Sequence, residues 1–181
     1  GEIQHGHMDQ VGYDTYCKLL DEVIKEMQGV EVPQEVDVQI DINVSSYIPD
    51  DYIENSSQKI EIYQNIALCR NEEDIQNVID EIIDRYGQMP EEVNNLLEIA
   101  RIKELAKKAF VTKISERRDS IVFNFDANNF NLDVVDKLIK TYRNQIKFSP
   151  GKEPYITYKV QENSDAVIIK KIKDFLKEIA N

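Results

Sequence analysis

In the stretch DEIIDRYGQMP, residues 80–90, three acids precede a single arginine, and a glycine and a proline follow. Carboxylates held close together can do general acid–base work, as in glycosidases. Carboxylates set beside a guanidinium can instead dock on a partner through charge-assisted, bidentate hydrogen bonds. At about 100° per residue, a helix here puts Glu81, Asp84 and Arg85 on one flank of its polar face. Glu81 and Arg85 stand at i and i+4, so they can also pair with each other. Arg85 lies in the last turn, where a cation meets the negative end of the helix dipole. One reading of Arg85 is therefore a helix-end charge, worth about 0.3–1 kcal/mol. The other is a two-signed patch, with Glu81 and Asp84 facing arginines of a partner and Arg85 facing an acid. Such groups become hot spots when an interface buries them.

Other chemistry finds less support. There is no G-x-x-x-x-G-K-[ST] loop to cradle phosphates. Both histidines, His5 and His7, fall in the first few residues, and two ligands do not make a metal site. That leaves no Ser-His-Asp or Cys-His set. Carboxylates abound, but nothing singles out a pair, and tryptophan, which often lines sugar sites, is absent. Cys17 and Cys69 sit in apolar-periodic segments and suit buried thiols of a reduced compartment. No cofactor is expected, and a binding or regulatory module is favoured over an enzyme.

Charge divides the chain. The net charge is −12. Residues 1–100 hold 23 acids and 5 bases, whereas residues 101–181 hold 11 acids and 17 bases. The acidic half suits a basic protein partner and opposes nucleic acid. The richest basic stretch, ARIKELAKKAFVTKISERR, lacks the interleaved aromatics of a stacking platform. A nucleic-acid-binding module built on the basic C-terminal half stays as the alternative, and it predicts affinity that falls steeply with salt. A carboxylate-pair hydrolase is a further rival, and it predicts a concave pocket with two acids of perturbed pKa. No apolar run is long enough to span a membrane, and no signal peptide is recognisable.

The elements that must position these residues follow from periodicity. Residues 13–29 read as a helix stopped by Gly29. VDVQIDINV (36–44) alternates strictly, as a strand with one wet face does. Residues 56–69 read as a helix with Ile60, Tyr63, Ile66 and Ala67 apolar. Residues 71–87 form a helix capped by Asn71, with acids in the first turn and a stripe of Ile75, Val78, Ile79, Ile82, Ile83 and Tyr86. Gly87 ends it, and Pro90 opens the next helix. Strands are expected at 111–115 and 120–125, as a hairpin, then at QIKFS and 155–160. Helices are expected at 131–143 and at 164–180, the latter capped by Ser164. The sum is an α+β fold with one small mixed or antiparallel sheet packed against several helices, preceded by an N-terminal linker helix.

EIIDRYGQMPEEVNNLLEIARIK resembles the E-[LI]-I-D-R-[FY]-G-x-[LM]-P segment of the C-terminal domain of bacterial transcription-repair coupling factors. The resemblance extends to VGYDTYCKLLDEVI, VDVQIDINVSSYIPDDYI and KIEIYQNIA, and so covers about residues 1–108. It implies a piece of a large ATP-driven DNA translocase that removes stalled RNA polymerase and recruits nucleotide excision repair. The motors would lie upstream, which fits the missing nucleotide motifs. It also implies that this domain docks on a UvrB-like N-terminal module of the same polypeptide. Docking would mask that module's UvrA-binding surface and keep the factor repressed. The contact residues carried over are Glu81, Asp84 and Arg85. GEIQHGH resembles the end of the translocation motif, with Gln4 at a glutamine that couples ATP hydrolysis to movement, although His5 replaces the usual serine. The expected division is 1–30 for that remnant and linker helix, and 31–181 for the regulatory domain. The partners are then the UvrB-like module and, indirectly, UvrA, RNA polymerase and DNA, in the bacterial cytoplasm and with no membrane.

Overall fold

The structure is a computed structural model and describes residues 37–161 and 164–180. The expected helix at 13–29, Gln4, His5, His7 and Cys17 lie outside the described residues. Among the described residues are five α-helices and a five-stranded sheet, the α+β class expected. They fall into two compact units. One comprises residues 45–101, and the other comprises residues 37–44 together with 102–180.

The first unit carries α1 (Ser56–Ala67), α2 (Glu72–Tyr86) and most of α3 (Glu91–Lys108). Each start has a chemical cause. The Asn55 side chain accepts from the Gln58 amide and the Asn71 side chain from the Asp74 amide, each satisfying an otherwise orphaned donor. The Pro90 carbonyl accepts from Val93 and Asn94 as α3 begins. On α1 the buried positions are Ile62 and Ile66, whereas Ile60 is 47% exposed. The expected phase through Ile60 was thus partly wrong. Two faces of this helix carry isoleucines, and packing selects between them. Ile75, Val78 and Ile82 of α2 are buried as the stripe predicted, but Ile83 at its margin is exposed. Asn95, a buried polar residue of α3, donates to the Ser45 carbonyl at 2.9 Å and so satisfies itself while holding the loop.

In the second unit the strands are β1 (Gln39–Asp41), β2 (Val111–Glu116), β3 (Ser120–Phe125), β4 (Ile146–Ser149) and β5 (Tyr155–Lys159). Their order is β1-β2-β3-β5-β4, with β1 parallel to β2 and all other pairs antiparallel. β1 is shorter than its alternating sequence suggested. Val38 and Val44 are both buried at its flanks, but the Asn43 amide donates to the side-chain carboxylate of Glu116 at the end of β2 rather than to a backbone carbonyl, and the ladder stops. Helices α4 (Leu132–Tyr142) and α5 (Asp165–Ala180) supply Leu138, Ile168, Ile172 and Phe175 to the core. Phe123 of β3 stacks on Phe175 with ring centroids 4.2 Å apart. Asn131 caps α4 through the Asp133 amide, and Ser164 caps α5 through Val167.

Candidate functional site

The candidate site is the C-terminal end of α2. Acids at 72–74 favour its N-terminus and Arg85 its last turn, so the charges follow the helix dipole. Gly87 then leaves the helix at φ 83°, ψ −163° while its amide still donates to the Ile83 carbonyl at 2.9 Å. Only glycine adopts that backbone region readily. The Tyr52 hydroxyl donates to the Gly87 carbonyl at 2.7 Å, which ties the turn to the loop before α1.

Glu81 and Arg85 form the expected pair at 3.2 Å. Arg85 also reaches Glu61 of α1 at 3.5 Å, and its guanidinium carbon lies 5.1 Å from the centre of the Tyr86 ring. Tyr86 in turn packs on Tyr52 and donates its hydroxyl to Gln58 of α1 at 3.3 Å. Partial loss of hydration pulls the Arg85 pKa down, but the neighbouring Tyr86, the hydrogen bond to Glu81 and the charge of Glu61 hold it above its usual value. Asp84 is exposed, and its carboxylate has no partner among the described residues. The three residues singled out in the sequence thus sit at one helix end, two paired and one open. Glu61 had no sequence signal, because only the packing of α1 on α2 brings it to Arg85.

The basic stretch at 100–118 is partly consumed within the fold. Arg101 holds Glu72 through Nε at 3.0 and 3.1 Å and through Nη2 at 2.8 Å, and Glu98 through Nη1. The hydrogen bonds to Glu72 come first among the causes that raise its pKa. Lys107 pairs with Glu104 at 3.1 Å. Such pairing weakens the case for a phosphate-binding face. A cleft of about 270 Å³ in the second unit is lined by Lys108, Phe110, Phe125, Asn129, Phe130, Asn131 and Val134, with Ile179 and Ala180, and no carboxylate faces it. No group of three or more potential metal ligands occurs among the described residues, and no described helix is long and apolar enough to cross a membrane. Cys69 is a buried thiol in no disulfide, and it donates to the Asn65 carbonyl.

Known proteins agree on one family. The TRCF domain model matches residues 42–134, just over half of the chain. A transcription-repair-coupling factor of Staphylococcus haemolyticus is 39% identical over 123 residues, which are 67% of this chain and 10% of that protein. The one from Rickettsia prowazekii is 33% identical over 176 residues, 96% of this chain and 15% of that protein. The chain therefore spans only a small part of the relatives it matches. A crystal structure of the C-terminal domain of a transcription-repair coupling factor shares the fold, with TM-score 0.73 and 24% identity over 81% of this chain and 94% of that one. The chain belongs to the TRCF domain family, whose relatives here are transcription-repair-coupling factors.

Proposed function

We propose that this is a non-catalytic regulatory domain that acts by docking. Its partner is the UvrB-like N-terminal module of the same polypeptide, and docking masks that module's UvrA-binding surface. The parent protein is an ATP-dependent DNA translocase that removes stalled RNA polymerase and recruits excision repair. Residues 1–30, with Gln4, are the end of its translocation motif and a linker, and residues 31–181 are the regulatory domain. The factor works in the bacterial cytoplasm.

One observation carries the reading. Glu81, Asp84 and Arg85, the family's contact residues by resemblance, share one helix end, where Asp84 is left without a partner of its own among the described residues. An isolated helix-end charge needs only Arg85, whereas a docking patch needs all three. Tethering within one polypeptide raises the effective concentration of the two surfaces, so a weak contact suffices to stay mostly closed. A few kcal/mol from motor movement or polymerase binding then opens it.

Calorimetric titration of the domain with the UvrB-like module tests this. The parent binds, and a folded triple variant with Glu81, Asp84 and Arg85 changed to alanine does not. Binding indifferent to the three substitutions would leave Arg85 a helix-end charge and place the docking surface elsewhere.

A further inference from the structure

Arg85 is held from two helices, and what is held leaves a defined part of it open. Both its ion pairs, to Glu81 and to Glu61, run through Nη1. The Tyr86 ring lies alongside the guanidinium. The Nε and Nη2 hydrogens have no acceptor among the described residues. The Nε–Nη2 edge is one of the two sides by which a guanidinium grips a carboxylate with two parallel hydrogen bonds. The same chain makes that grip elsewhere: Arg101 holds Glu72 through Nε to Oε2 at 3.0 Å and Nη2 to Oε1 at 2.8 Å.

We propose that Glu61 and Tyr86 are positioning residues of the docking surface, which fix Arg85 so that its Nε–Nη2 edge forks a carboxylate of the partner. This rests on the docking reading above, in which Arg85 faces an acid, and adds the edge of the guanidinium that meets it and a contribution from α1. A free arginine side chain must freeze several torsions to make a fork. Here Glu61, Glu81 and the Tyr86 ring restrict those torsions before the partner arrives, so less freedom is lost on binding. Glu61 is half exposed, so its removal leaves the core untouched.

The test is titration of the chain with the UvrB-like module, with each variant first shown to unfold at the parent's urea midpoint. Arg85→Lys keeps the charge but loses the fork, and affinity falls about tenfold or more. Glu61→Ala weakens binding about threefold to fivefold in the parent, and has no further effect once Arg85 is lysine. Glu73→Ala, the same change of net charge at the far end of α2, leaves affinity within about twofold. Tyr86→Leu removes the ring beneath the guanidinium and weakens binding about twofold to fivefold; parent-like binding by it would take Tyr86 out of the positioning role. Parent-like binding by Arg85→Lys would overturn the fork. Equal losses from Glu61→Ala in both Arg85 backgrounds would make Glu61 an independent contact and overturn positioning. In either case, loss of binding by the alanine triple variant would keep the docking reading standing. If the triple variant binds as the parent does, that reading and this one fall together.

Discussion

Replacing Gly87 by alanine separates backbone strain from packing at the candidate site. A Cβ built at Gly87 meets nothing within 4 Å, so no clash opposes the substitution. Its φ of 83° and ψ of −163° nevertheless lie in a region nearly exclusive to glycine, where a side chain costs on the order of 1–3 kcal/mol. Alanine also restricts the unfolded chain, which offsets about 0.4–1 kcal/mol. The net expectation is a loss of about 1–2 kcal/mol. Urea unfolding followed by circular dichroism measures it, and an unchanged m-value would place the effect in stability rather than in residual structure. Gly87→Asn sharpens the test. Asparagine tolerates the left-handed helical region, but at this ψ it gains nothing, so it destabilises as alanine does. The strain also bears on the site, since relaxing it shifts the Gly87 carbonyl that Tyr52 binds and the end of the helix that carries Arg85. A neutral Gly87→Ala, or an asparagine variant as stable as the parent, would refute the reasoning.

Three further outcomes are expected. Arg101→Ala leaves the Glu98 side chain, only 12% exposed, without its guanidinium and destabilises by about 1–2 kcal/mol in urea unfolding; Glu72→Ala, where the lost carboxylate is mostly exposed, costs under about 1 kcal/mol. Phe175→Ala removes the ring stacked on Phe123 and tilted against Tyr142 and Tyr158, and lowers stability by about 3–5 kcal/mol, enough to appear directly as a fall in Tm. Burial first, then the neighbouring Tyr158 and the charges of Glu178 and Asp174, push the Tyr142 pKa up to about 12 from its ordinary 10. The unfolded chain therefore releases this proton first, and stability declines as pH rises from about 10 towards 12. Because the ring is partly exposed, the loss is about 1 kcal/mol, and Tyr142→Phe removes that part of the alkaline decline in a pH series of urea midpoints.

Local chemistry determined much of this protein from its sequence alone. Asn71, the acids after it, the apolar stripe and Gly87 mark α2 at both ends, because capping and glycine's backbone freedom act within a few residues. For the same reason the pairing of Glu81 with Arg85 is legible in their spacing, since positions i and i+4 are neighbours on one helix. Relations between elements were decided only by tertiary packing. Nothing local distinguishes Ile60 from Ile62 on α1, and the fold buries the second. The parallel pairing of β1 with β2 joins residues separated by more than seventy positions, and β1 ends where the Asn43 amide finds Glu116. Glu61 meets Arg85 across 24 residues, and Arg101 is taken from the basic stretch by Glu72 across 29. These contacts depend on which helix faces meet, a choice made by the burial of whole apolar surfaces rather than by any residue's own preference.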